Sequence, residues 1–419
     1  MARLTATTVY LASELWLELA WKISFTVTAV YFVTEVGLNP FQLVLVGTVL
    51  ELTILVFEVP TGVVADTYSR RLSLIIGWVV MGLGMIIVGA SHSFPVILGG
   101  YATWGFGYTF TSGADQAWIT DEVGVARVGR LFVRGQQLGY VGGLAGIGVS
   151  VAVASVDLSS AIMLGGVLAI GFAVFAAVTM PEHGFARRAR AERAGALRDL
   201  RTTTARGARY VRTSPLLLLI FGIAFFAGAS TESFDRLWQA HIIDDIGLPG
   251  LGSLDPVVWF GVFGAGSMLI GLAGSQVLIR YVEGTDRARL TRLLFVFTLV
   301  QAVAVLGFAF TGRPWPALTA FWLYYLTRSL VDPVFMTWVN ENITDSTVRA
   351  TVISISGQSD AIGQVTGGPA LGAVGTVFSL RAALAAGAAL LVPALALYGR
   401  AMRHRGRSPG LDAAPAEDA

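Results

Sequence analysis

The 419-residue sequence contains no cysteine. That absence excludes disulfides, thiol nucleophiles and cysteine-bound zinc or iron–sulfur centres. Histidine is nearly missing too: His92, His183, His241 and His404 stand too far apart for any metal-ligand spacing, so neither a metal nor a cofactor is expected. Charge is equally scarce, with 13% of residues charged and 54% hydrophobic, against roughly a quarter charged in an average soluble domain. A chain this apolar cannot hide its surface in a water-soluble core of ordinary size, so its solvent is lipid, which argues against an ordinary cytosolic enzyme. Lysine occurs once, at Lys22, against 28 arginines. The net charge of +2 carries no nucleic-acid signal, because the arginines gather in short loops. Met1-Ala2-Arg3 runs into an apolar stretch that contains acids and lacks a small-residue cleavage site, so a removable signal peptide is not expected.

What is abundant is long apolar sequence. A hydrocarbon core about 30 Å thick needs roughly 20 helical residues. Windows of that length fall near 9–34, 41–65, 72–91, 95–120, 131–154, 159–180, 215–239, 255–280, 290–311, 315–340, 350–377 and 380–399. The expected fold class is therefore an all-α integral membrane protein of twelve transmembrane helices. Alternate loops test the count, because cytoplasmic loops collect arginine. One side takes Arg3, Arg70, Arg71, Arg127, Arg130, Arg134, nine arginines from Arg187 to Arg212, Arg280, Arg287, Arg289, Arg292, Arg349, Arg400, Arg403, Arg405 and Arg407; the other takes Arg313 and Arg381. Both termini are accordingly expected in the cytoplasm.

The longest basic loop divides the windows six and six. The expected organisation is an N-terminal six-helix bundle over 1–180, a cytoplasmic linker over 181–214, a C-terminal bundle over 215–400 and a disordered tail over 401–419. The halves also match weakly at a shift of 214 to 222 residues: Glu18 with Glu232, Trp118 with Trp338, Arg127 with Arg349, and Gly135-Gln136 with Gly357-Gln358. Parallel repeats of this kind are one plan of transporters that hold substrate near the midplane between halves.

Between the second and third windows lies Gly62-Val63-Val64-Ala65-Asp66-Thr67-Tyr68-Ser69-Arg70-Arg71. It resembles the G-x-x-x-D-x-x-x-R-R signature of the major facilitator superfamily, in the loop where that family carries it, and the six-plus-six layout extends the likeness over the whole chain. The resemblance implies a secondary transporter, monomeric, in the bacterial cytoplasmic membrane. It also implies that Gly62, Asp66, Arg70 and Arg71 form a conformational latch with Asp121 or Glu122, Asp66 facing the start of the eleventh helix near Thr351. Gly62 was expected to permit a tight helix end. Ser112-Gly113-Ala114-Asp115-Gln116-Ala117-Trp118-Ile119-Thr120-Asp121 looks like the fourth-helix pattern of macrolide- and tetracycline-type exporters. Two departures stand against the drug/proton antiporter pattern: the fourth helix carries Asp115 and no arginine, and the fifth has Tyr140 where that pattern has proline.

An ionisable group at bilayer depth costs roughly 2.5–3.5 kcal/mol on insertion scales, so each is a functional candidate. Here they are Glu14, Glu18, Lys22, Glu51, Glu58, Asp115, Glu232, Asp235, Arg236, Arg328, Asp332 and Asp360. Four-residue spacing puts Glu14, Glu18 and Lys22 on one helix face and offers the pairs Glu232–Arg236 and Arg328–Asp332. Acids without a fixed cation are the ones expected to exchange protons: Glu51, Asp115 and Asp360, with Glu18 a fourth candidate. Trp21, Phe25, Phe226, Trp322 and Tyr325 are candidate cavity walls. The glycines of the fifth and eleventh windows read as packing seams. The expected function is proton-coupled efflux of a hydrophobic or amphipathic small molecule by alternating access, so the partners are substrate, protons and lipid. The alternative is proton-coupled uptake of a sugar, peptide fragment or siderophore; a membrane enzyme or receptor is remote, since no polar cluster marks one membrane face.

Overall fold

A computed structural model describes residues 4–185, 215–250, 252, 254–282, 286–343 and 349–404. Most of the expected linker and tail lie outside these residues. Within them the chain is a succession of helices: α1 (Ala6–Phe25), α2 (Thr28–Tyr31), α3 (Pro40–Thr67), α4 (Arg70–Gly89), α5 (Phe94–Thr111), α6 (Ala114–Val123), α7 (Val125–Ala154), α8 (Leu158–Thr179), α9 (Pro215–His241), α10 (Val258–Val282), α11 (Arg287–Phe310), α12 (Pro314–Asn342), α13 (Arg349–Val377) and α14 (Leu380–His404). Because α1 continues into α2 and α5 into α6, these make the twelve spans of an all-α membrane fold. Nine described stretches are long and apolar enough to cross a membrane; α5, α12 and α13 are not among them, and α12 and α13 carry Arg328, Asp332 and Asp360.

Starts are written in local chemistry. Thr5, Ser69, Asp157 and Asp286 cap α1, α4, α8 and α11 by accepting from the amides of Thr8, Leu72, Ser160 and Arg289. Asn39 and Gln42 exchange both bonds of a capping box at 3.0 Å, with Pro40 in the first turn of α3. Val296, Val303 and Phe310 recur every seven residues along α11 and are exposed, an apolar stripe that only lipid can cover.

The two bundles repeat one partnering scheme. Helix α1 packs on α7 and α8 as α9 packs on α13 and α14; α4 packs on α5 and α8 as α11 packs on α12 and α14. Across the bundles α3 meets α13 and α7 meets α10. Glycine sets the closest approaches. A Cβ on Gly82 of α4 would lie 2.6 Å from the Gly166 carbonyl oxygen of α8, and neither backbone can rotate away. Gly82→Ala should therefore lower the melting temperature of the purified protein, by the about 1–3 kcal/mol of an overpacked core. Gly99→Ala, where nothing lies within 4 Å, should leave it unchanged or raise it.

Apolar packing distinguishes the two ends of the molecule. At the end carrying Arg70, Arg127 and Arg287, the basic end, each bundle has its own cluster, one around Trp118 and Phe172 and another around Leu294 and Trp338. At the opposite end a single cluster joins both bundles, from Val30 and Val44 to Phe234 and Trp238. There the Phe41 amide also donates to Thr376 Oγ1 at 2.9 Å. The bundles are closed on each other at the opposite end and separately packed at the basic end.

Candidate functional site

In the first bundle α1 lies directly on the glycine seam of α7. A Cβ on Gly142 or Gly146 would meet the backbone of Leu15 or Leu19, and the stems of Glu14 and Glu18 pass over Gly135 and Gly139. The Lys22 stem crosses Gly143 and Gly146, its Cγ and Cβ 3.5 and 3.0 Å from where a Cβ would be. The three ionisable residues do share a face, but the expected ladder does not close: among the described residues no acid lies within ion-pair distance of the Lys22 ammonium. Lys22 instead lines two cavities. One, of about 690 Å³ toward the basic end, is bounded by Glu14, Glu18, Asp115, Gln136 and Tyr140, with Met268 from the second bundle. The other, of about 260 Å³ toward the opposite end, runs between Lys22, Tyr101, Arg236, Gln239 and Tyr325.

The fourth span is broken where a continuous helix over 95–120 was expected. Helix α5 stops at Thr111, Gly113 takes φ +71°, and α6 restarts at Ala114. The break places Asp115 in the first turn of α6, where helix amides have no partner of their own. Its carboxylate faces the amides of Asp115 and Gln116. Ser112, in the break, donates to Glu58 Oε1 at 3.1 Å, so Glu58 holds the bend.

The second bundle carries the tighter ion network. Arg236 Nε of α9 lies 3.5 Å from Glu232 Oε2, and both side chains press on Gly47 of α3. Arg328 of α12 does not pair with Asp332. Its Nη1 donates to both oxygens of Asp235, at 2.7 and 2.6 Å, and lies 3.3 Å from the Tyr324 hydroxyl. Asp235 reaches it from α9, whereas Asp332, four residues along α12, points away to an exposed position. Asp360 of α13 accepts from Gln364 Nε2 at 2.7 Å and packs on Gly228. Glu51 of α3 lies within electrostatic reach of Arg236, Asp235 and Asp360. Glu51, Asp115 and Asp360 thus face the interior, and among the described residues no cation contacts them.

At the basic end Arg70 pairs with Asp121, donates to the Ala117 carbonyl oxygen at 2.7 Å and lies 3.8 Å from Asp66. Other parts of the expected latch are placed differently. Arg71 donates to the Ala177 carbonyl oxygen rather than to an acid, and its amide donates to Glu182 Oε1 at 2.9 Å. Glu122 accepts from the amides of His183 and Gly184, which a short backbone turn offers it more directly than an arginine would. Gly62 stands inside α3, which runs on to Thr67, so it forms no helix end. The Thr351 side chain lies outside the described residues. Of the aromatics, Trp21 borders a further cavity with Trp104 and Tyr108, while Phe25 and Tyr325 line the 260 Å³ cavity. Trp322 donates to the Phe263 carbonyl oxygen at 3.3 Å and covers Gly266, and Phe226 rests edge-on against Phe225; neither lines any of these three cavities.

One structural unit was missed in the sequence although a repeat marks it. Glu35-Val36-Gly37-Leu38 and Asp245-Ile246-Gly247-Leu248 each close a span with a π-helical turn and a glycine at φ +72° and +74°. In the second copy Asp245 binds His241 Nδ1 at 2.7 Å and stands 3.7 Å from Arg381.

A transport-like plan of this kind can be set beside known proteins. Residues 16–346 match the model of the Major Facilitator Superfamily. The chain belongs to that superfamily. Among other major facilitators it is 23% identical over 361 residues to YxaM, an uncharacterized MFS-type transporter of Bacillus subtilis (strain 168), covering 85% of this chain and 86% of that one. In fold it is similar to the nucleoside transporter NupG, with a TM-score of 0.78 at 13% identity over 95% of this chain and 100% of the other. It is likewise similar to a peptide transporter POT solved with sulfate, at 0.75 and 14% over 95% and 94%, and to a bacterial homolog of the human lysosomal transporter Spinster solved inward-facing and unoccupied, at 0.72 and 15% over 97% and 98%. Membership points to a multi-pass membrane transporter of a small molecule and not to an enzyme.

Proposed function

We propose that this facilitator exports a small amphipathic molecule in exchange for protons, by alternating access of a midplane site between its two bundles, with both termini in the cytoplasm. The observation that carries the reading is the contrast among its interior ions. Glu232, Asp235, Arg236 and Arg328 contact opposite charges, whereas Glu51, Asp115 and Asp360 face the interior with no cation in contact among the described residues. A carboxyl held that way gains or loses a proton more readily than one tied to a guanidinium. Separate apolar clusters at the basic end and a shared one at the opposite end support rocking of the bundles about this layer. Export over uptake rests on the likeness of Ser112–Asp121 to the fourth helix of exporters.

The test is transport in proteoliposomes carrying a panel of labelled amphipathic compounds under an imposed pH gradient. The gradient is expected to drive substrate against its own concentration. The triple variant Glu51→Gln, Asp115→Asn, Asp360→Asn should lose that drive while keeping downhill exchange. Intact uphill transport in the triple variant would refute the coupling. A deletion strain separates the directions, since loss of an exporter raises sensitivity to its substrate and loss of an importer impairs growth on it.

A further inference from the structure

The 260 Å³ cavity has a charge balance of its own. It receives a cation from each bundle, Lys22 of α1 and Arg236 of α9, and among its lining residues the single acid is Asp235. Asp235 is already held through both carboxylate oxygens by Arg328. Glu14 and Glu18 open onto the larger cavity instead, and among the described residues no acid contacts the Lys22 ammonium. Arg236 is only loosely matched by Glu232: its Nε stands 3.5 Å from Glu232 Oε2, and neither atom makes a hydrogen bond. Beside these cations Gln239, only 6% exposed, lines the cavity with its Oε1 buried and unpartnered. Leaving such an acceptor unsatisfied costs about 1–3 kcal/mol. Seven aromatic residues, among them Phe25, Tyr101, Trp238 and Tyr325, share the remaining wall with aliphatic side chains and the hydroxyls of Thr26, Thr28 and Ser267.

We infer that this cavity is a binding site for a small amphipathic organic anion, whose carboxylate lies between Lys22 and Arg236, whose hydroxyl or N–H donor satisfies Gln239, and whose ring packs on the aromatic wall. Each part answers something the described residues leave open: an ammonium without an acid, a guanidinium held only loosely by its acid, and a buried amide oxygen without a donor. Size narrows the class. Ligand pockets for drug-sized molecules run from about 300 to 1,000 Å³, and this cavity falls below that range, so a monocyclic acid fits and a macrolide or tetracycline does not. Because the two cations come from different bundles, a bound carboxylate also bridges the halves, which makes the ligand part of the closed opposite end. Lys22 is placed for this by sequence, since Gly143 and Gly146 let its stem cross α7 without a side chain in the way.

The inference deepens the transporter reading but is tested apart from it, by equilibrium binding to the full-length protein in detergent, where no gradient acts. The probes are 4-hydroxyphenylacetate, its neutral amide and the cation tyramine, measured by calorimetry. The carboxylate is expected to bind at least about tenfold more tightly than the amide, and tyramine more weakly than either. Lys22→Gln should erase the preference for the carboxylate, and Lys22→Arg should keep it. Equal affinities, tighter binding of tyramine, no binding of any probe up to about 10 mM, or an undiminished preference in Lys22→Gln would each overturn the inference. Anion binding without pH-driven transport would defeat the coupling proposal and leave this one standing; pH-driven transport with no charge preference would do the reverse.

Discussion

Replacing Arg328 by methionine is expected to destabilise the second bundle by about 3 kcal/mol, because it strands Asp235. Both oxygens of that carboxylate are satisfied by one guanidinium nitrogen, at 2.7 and 2.6 Å, and the nearby Tyr324 hydroxyl is itself engaged with Arg328. Breaking a buried pair by removing one partner costs about 3–5 kcal/mol, since the remaining charge stays desolvated. Arg328 and Asp235 keep 35% and 24% of their side-chain surface accessible, so the lower end, about 3 kcal/mol, is expected. The checking measurement is thermal unfolding in detergent, where the variant should melt several degrees below the parent. Asp235→Asn combined with Arg328→Met should recover most of the loss, because no charge is then left without a partner. Asp332→Asn decides the assignment of the pair. Asp332 is exposed and not in contact with Arg328, so its change should stay within about 0.5 kcal/mol. A large loss in Asp332→Asn with little in Arg328→Met would restore the pairing suggested by spacing alone.

That contrast also marks what sequence can and cannot carry. Spacing along one helix is fixed by 3.6 residues per turn, so the shared face of Glu14, Glu18 and Lys22 and the proximity of Glu232 to Arg236 were both legible. Partners on different helices depend on the rotation of each helix about its axis, which hydropathy leaves free when all sides are apolar. Arg328 therefore found Asp235 on α9, and Lys22 found a cavity in place of Glu18. The broken fourth span illustrates a second limit. Ser112-Gly113-Ala114-Asp115 holds a left-handed glycine and a first-turn acid, a helix-stop signal followed by a helix-start signal, yet within a long apolar window they read as tolerated interruptions. Twelve spans followed from apolar length together with the alternation of arginine-bearing loops, because crossing lipid constrains length and flanking charge more tightly than it constrains partners. The unpartnered Gln239 had no sequence signal at all, since an amide among aromatics reads the same whether or not its oxygen is satisfied.

The second large effect is expected from Gly372→Val, and it concerns conformation. A Cβ at Gly372 of α13 would lie 3.0 Å from Phe41 Cα and 3.1 Å from Val44 Cβ of α3. The two branch methyls of valine reach further, and backbone on the far side cannot turn away. The strain falls on the contact between bundles at the opposite end, next to the Phe41–Thr376 hydrogen bond, and on no contact within a bundle core. Parting α3 from α13 there relieves it. If overpacking costs this arrangement about 1–3 kcal/mol, the population open at the opposite end rises about 5- to 150-fold relative to the closed one. The absence of native cysteine makes the shift measurable without background. Thr28 lines the 260 Å³ cavity and is 2% exposed, so Thr28→Cys should react slowly with a membrane-impermeant maleimide in the parent and at least several-fold faster with Gly372→Val added. The melting temperature should fall less than in Gly82→Ala, because a second arrangement is open to the gate variant and none is open to an overpacked bundle. Unchanged labelling together with a lower melting temperature would mean that α3 and α13 are fixed to each other, and the bundles would then have to exchange substrate by some motion other than parting at this seam.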